Sequence, residues 1–145
     1  MKTLTLLWFF LVVCVSPVFA TLGEKHIEAE KKSAADKGKA IVFYFRQAYY
    51  NPNCPKCIAD VNANNAATKK ALPRKYANII TIEAGGTRSL DKLPECVKAI
   101  KANAPILVAT DAACTKVIGT LRGRPDRAQA DAFEKSVAAE VAAAK

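Results

Sequence analysis

Cys54-Pro55-Lys56-Cys57 are the residues of this chain best suited to chemistry. Two cysteines three positions apart at the start of a helix lie about one turn apart, close enough to close a small disulfide ring. The first stands among N–H groups that have no partner inside the helix, where the positive end of the helix dipole favours a thiolate. The motif is short, so its weight comes from its setting. It follows an apolar run, Ala40 to Phe45, and a loop that holds Gln47, Tyr49, Tyr50 and Asn51-Pro52-Asn53. It opens a stretch with helical character from Cys54 to Leu72, stopped by Pro73. At a strand-to-helix junction such a pair reads as a redox pair. An inert structural disulfide is the competing reading.

The other candidate ligands and nucleophiles are sparse. His26 is the one histidine, and there is no second Cys-x-x-Cys, so the spacing gives a four-ligand zinc site little support. Met1 is the one methionine, which leaves a copper site with the cysteine pair alone. No metal and no cofactor is expected. Cys96 and Cys114 remain. Five residues of strand, from Pro105 to Thr110, span roughly 17 Å, whereas a disulfide needs its Cα atoms within about 7 Å. The two are therefore expected not to be bonded to each other, with Cys96 a small core residue and Cys114 a partly exposed turn residue.

The amino end has the marks of a secretory signal peptide over residues 1–20: Lys2, the apolar Leu4 to Val15, then Ser16-Pro17-Val18-Phe19-Ala20 with small residues at the cleavage offsets. Its apolar core is short for a membrane span, and an uncleaved anchor is the rival reading. Cleavage would discard Cys14 and leave one domain over residues 21–145, secreted or periplasmic, with no membrane span. Among charged residues that segment holds only Lys2, so the formal charge falls from +9 to +8. A basic surface suits acidic partners or membrane headgroups. The charges are scattered, however, and no aromatic-plus-basic motif accompanies them, so no nucleic-acid role is expected.

The elements that position the cysteines follow from hydrophobic spacing. Residues 21–37 form a polar helix with a thin apolar face (Leu22, Ile27, Ala34, Ala35), ending near Gly38. Ala40 to Phe45 reads as a strand buried on both faces. Within the Cys54 helix, Ile58, Val61 and Leu72 make the apolar side, and Asn62, Asn64 and Asn65 weaken the middle by propensity. Asn78 to Ala84 is a second strand, and Gly85-Gly86 a turn. Ser89 or Asp91 caps a helix carrying Leu93, Val97 and Ile100. Ile106 to Thr110 and Thr115 to Leu121 form a hairpin across Asp111-Ala-Ala113. Pro125 opens a last helix with Phe133, Val137 and Val141 on one side. The order implies an α/β fold with a mixed sheet, and the cysteines fall at the carboxyl end of the first strand, where open sheets place their chemistry.

These pieces together resemble the thioredoxin superfamily. The resemblance rests on Lys37-Gly-Lys-Ala-Ile-Val-Phe-Tyr-Phe45, the Cys-Pro-Lys-Cys site, Ala104-Pro-Ile-Leu-Val108, the strand from Thr115 to Gly123 and the closing amphipathic helix, and it covers about residues 35–143. It implies a thioredoxin-like three-layer fold with a four-stranded mixed sheet in the order 2-1-3-4, lacking a clear counterpart of the usual extra amino-terminal strand. It also implies that Pro105 is a cis proline facing the redox pair, with Ala104 and Pro105 forming the platform for an extended substrate strand. The implied activity is thiol–disulfide exchange with protein or peptide substrates and a redox partner. Cys54 would be the nucleophile, Lys56 would favour its thiolate, and Cys57, deeper in the fold, would resolve the mixed disulfide. Departures from the pattern are Tyr44 where ordinary thioredoxins have a buried Asp, Asn53 where they have Trp, and a longer loop from Arg46 to Asn53. The Gly-Gly-x-Asp turn of glutaredoxins is missing after Pro105. A non-catalytic binding or assembly module using Tyr49-Tyr50, and a copper(I) metallochaperone, are the alternatives.

Overall fold

Ala40–Gln47 forms the central strand β1, and its first six residues are all buried because both faces of the strand are covered. Side chains alternate along a strand, so Ile41, Phe43 and Phe45 enter one apolar layer while Ala40, Val42 and Tyr44 enter the other. The structure, a computed structural model, describes residues 24–48, 51, 53–84, 92–100 and 105–145. The expected signal peptide, the Tyr49-Tyr50 pair, the Gly85-Gly86 turn, the Ser89 and Asp91 caps and Ala104 lie outside the described residues.

The chain runs α1 (Glu24–Asp36), β1, α2 (Pro55–Lys70), β2 (Ala77–Ala84), α3 (Glu95–Lys98), β3 (Ile106–Thr110), β4 (Val117–Arg122) and α4 (Arg127–Ala143). The four strands make one sheet in the order β2-β1-β3-β4. β2 is parallel to β1, with Ala40 opposite Ala77 and Gln47 opposite Ala84. β3 is antiparallel to both β1 and β4. The expected α/β architecture, element order and strand order are all present. Ile27 and Ala34 of α1, with Leu93 and Val97 at α3, cover one face of the sheet. Phe133 and Val137 of α4 pack on the other, the side on which Tyr44 meets α2.

Several element ends differ from the sequence expectation, each for a local reason. α3 has only four residues: Leu93 and Val97 are buried as expected, but the helix begins after Pro94, which supplies no side-chain cap. α4 begins at Arg127 because Asp126 caps it. The Asp126 carboxylate accepts the Gln129 N–H while the Gln129 side chain accepts the Asp126 N–H, a capping box, so Pro125 lies just outside the helix. β4 starts at Val117 because Asp111 holds residues 115 and 116 in the turn, accepting both their N–H groups and the Thr115 hydroxyl. Burial would raise the Asp111 carboxyl, but these donors outweigh it and hold the group below the usual carboxylate range.

Cys96 and Cys114 are both free thiols, in agreement with the expectation. The distance argument behind it fails. α3 leads back along the sheet to the β3–β4 turn, and Cys96 Sγ donates to the Cys114 carbonyl at 3.2 Å. Cys114 is also buried, not partly exposed, and Cys96 is the more accessible of the two.

Candidate functional site

β1 ends at Gln47, and the chain returns within seven residues to begin α2 beside it. Cys54 is the N-cap of that helix: its backbone is extended (φ −111°, ψ 94°) and Pro55 holds the first helical position. Proline suits that place because its missing N–H would have had no helical partner. Cys54 Sγ accepts the Cys57 N–H at 3.2 Å, the role a serine or aspartate side chain commonly fills. The two cysteines form a disulfide with Cα atoms 5.2 Å apart, inside the range such a bond requires.

The accessibility of the pair reverses the expectation. Cys54 is half-buried, whereas Cys57 is exposed, as are Pro55 and Lys56. α2 explains this. It has few apolar side chains, and only Val61 and Thr68 are buried, so its first turn projects past the end of the sheet instead of sinking into it. Cys57 borders an open hollow of about 250 Å³, shared with Gln47, Asn51, Ile58, Asp60, Val61 and Asn64. The Lys56 side chain is 91% exposed and reaches Asp60 at 3.9 Å, and Arg124 approaches the same carboxylate from the other side. Asp60 thus draws on the charge that Lys56 would offer Cys54.

What holds α2 in place is polar. Asn65 bridges to Gln47 in both directions: its Oδ1 accepts the Gln47 N–H and its Nδ2 donates to the Gln47 carbonyl, each at 2.9 Å. The amide thereby satisfies the backbone of the last residue of β1. Asn64 donates to the Gln47 side chain and accepts from Arg124. The Thr68 hydroxyl meets the Asn64 and Gly123 carbonyls. Asn64 and Asn65, which weaken the helix by propensity, are the side chains that fix its position against β1. An asparagine cluster in mid-helix, against propensity, was the available sequence signal. Asn65→Ala is expected to lower stability by about 1–2 kcal/mol, because it removes both bonds and strands the Gln47 backbone groups. Urea denaturation measures this, and an unchanged midpoint would remove Asn65 from the positioning role.

Tyr44, at the position where the resemblance would place a buried acid, has a different task in this fold. It is 5% exposed and its hydroxyl donates to the Asn65 carbonyl at 3.0 Å. Burial pushes its hydroxyl up from the ordinary tyrosine range, so it remains a donor and holds α2 rather than taking a proton. Pro105 is buried at the start of β3, beside the strand end that leads to Cys54, and its carbonyl accepts the Gly123 N–H at 2.9 Å. Ala104, its partner in the expected substrate platform, lies outside the described residues. A larger groove of about 510 Å³ runs between α2 and β2, lined by Arg46, Lys69 and Arg74 among others, and neither cysteine borders it.

Among the described residues there is no group of three or more His, Cys, Asp or Glu placed to hold a metal ion, and no helix long and apolar enough to cross a membrane. The arrangement offers a strand-anchored disulfide at a helix start, compatible with thiol–disulfide exchange. Comparison with protein-family models, with curated proteins and with solved structures finds no match to this chain.

Proposed function

We propose that this chain is an exported, thioredoxin-like thiol–disulfide oxidoreductase acting on protein or peptide substrates through Cys54 and Cys57. The observation that carries the reading is the Cys54–Cys57 disulfide at the start of α2, beyond the carboxyl end of the central strand, with the Cys57 N–H directed at Cys54 Sγ. In the oxidising direction a substrate thiolate attacks Cys54 Sγ, the Cys54–Cys57 bond breaks, and Cys57 leaves as a thiolate. A second substrate thiolate then attacks the substrate sulfur of the mixed disulfide and releases Cys54 as a thiolate. Two electrons pass from the substrate dithiol to the pair, and the reverse sequence reduces a substrate disulfide.

Cys54 is assigned the attacking and attacked sulfur because the helix terminus and the Cys57 N–H both stabilise negative charge on it. Lys56 adds a weaker contribution, since it is exposed and shared with Asp60. The hollow beside Cys57 is the proposed seat for a substrate side chain, and the segment entering β3 at Pro105 the proposed backbone platform. Insulin-disulfide reduction with dithiothreitol tests the activity: catalysed turnover is the expected result. A rate equal to the uncatalysed one would overturn the enzyme reading in favour of a binding module. The reduction potential of the pair then sets the direction in which it runs.

A further inference from the structure

We infer that Cys96 and Cys114 form a second, independent dithiol couple, which closes to a disulfide under oxidation and ties α3 to the β3–β4 turn. The contact between the two residues is direct. Cys96 Sγ lies 3.2 Å from the Cys114 carbonyl oxygen. With standard bond lengths and bond angles, even the most extended arrangement through that contact separates the Cα atoms by only about 8.4 Å. Bending at the sulfur and at the carbonyl oxygen shortens this toward the roughly 7 Å within which a disulfide can form. Closure requires the Cys114 sulfur, which now accepts a weak hydrogen bond from the Thr110 hydroxyl at 3.6 Å, to turn toward Cys96.

Cys114 has a positive φ of 56°, unusual for a residue with a side chain. The turn bonds around it, from its own N–H to the Asp111 carbonyl and from Thr115 and Lys116 to the Asp111 carboxylate, hold that conformation. The turn therefore presents Cys114 to α3 as a fixed partner. A groove of about 580 Å³ between α1 and the segment entering α3 leads to Cys114, past Glu28, Lys31 and Glu95. Cys96 does not line this groove but is itself partly exposed. Burial raises both thiols above the ordinary cysteine range, which keeps the reduced pair slow to react and makes the more accessible Cys96 the entry point.

The couple is separate from the Cys54–Cys57 site. Thr110 lies opposite Ile41 at the start of β1, whereas Cys54 follows its far end. No Cys54–Cys57 disulfide of the same molecule reaches this pair, so the oxidant is an external disulfide, of low molecular weight or on another protein. The Cys96 thiolate attacks it, forming a mixed disulfide and expelling one thiolate. The Cys114 thiolate then attacks Cys96 Sγ and expels the second. The pair loses two electrons and two protons, and the external disulfide becomes two thiols. Closure joins residues 18 apart in sequence and lowers the entropy of the unfolded chain, which favours the folded one.

The test uses the full chain with Cys54→Ser and Cys57→Ser, so its outcome does not depend on the redox reading of that site. Reduced protein is incubated with oxidised glutathione, unfolded in denaturant with iodoacetamide, and mapped by peptide mass. The expected result is a Cys96–Cys114 cross-linked peptide with loss of both alkyl labels, and a higher thermal midpoint than the reduced protein. Cys96 and Cys114 both recovered as alkylated thiols, or each carrying glutathione, would overturn the couple. A cross-link with an unchanged midpoint would overturn the tie between α3 and the turn.

Discussion

Replacing Cys54 with serine is expected to stop disulfide turnover, by roughly three orders of magnitude or more, because removal of the nucleophile leaves only the background reaction. Cys57→Ser is expected to fail differently. It retains the helix-start thiolate and the N–H that supports it, so it attacks a substrate disulfide but cannot resolve the product. It accumulates as a mixed disulfide that non-reducing electrophoresis shows and dithiothreitol releases. The exposure of Cys57 makes the distinction worth measuring, since access alone would choose the other sulfur. In the proposed mechanism charge stabilisation chooses Cys54. In the reduced protein, alkylation at mildly acidic pH should therefore label Cys54 far faster than Cys57. Faster labelling of Cys57, with trapping by Cys54→Ser instead, would exchange the two roles.

Phe43→Ala is expected to destabilise the protein by about 3–5 kcal/mol, the range for removing a fully buried aromatic side chain and leaving a cavity. Phe43 has no exposed surface, lies at the middle of β1 opposite Ile80 and Val108, and packs in the layer between the sheet and α1. That loss is a large share of the roughly 5–15 kcal/mol that holds a domain of this size folded. The urea midpoint should fall without a change in slope. The side chain faces away from α2, so the molecules that remain folded should keep their thiol chemistry. A loss below about 1 kcal/mol would mean that the layer collapses around the gap. Reduced Cys54 reactivity in the folded fraction would mean that this layer also positions the site.

The architecture was legible because the signals behind it are local. The unbroken apolar run of β1, the spacing of Leu93 and Val97, and that of Phe133 and Val137 each report burial directly. Their order constrains the sheet, since a parallel pair needs a crossover and a hairpin does not. The Cys-Pro-Lys-Cys spacing by itself determines that the two sulfurs can meet at a helix start, because three residues make nearly one turn. Element ends were less legible: the Asp126 capping box and the Asp111 turn are exchanges among neighbouring polar groups that hydrophobic spacing does not register.

The tertiary structure alone decided how the cysteines are exposed and which of them are neighbours. Cys57 is exposed because α2 docks through Asn64, Asn65, Thr68 and Tyr44 rather than through an apolar stripe, and polar docking leaves its first turn off the sheet. Cys96 meets Cys114 because α3 returns along the sheet to the far turn, a path set by the burial of Leu93 and Val97. Both outcomes depend on contacts between residues distant in the chain. Spacing along a sequence carries the geometry of one element, whereas the meeting of two elements is fixed only when their surfaces pack.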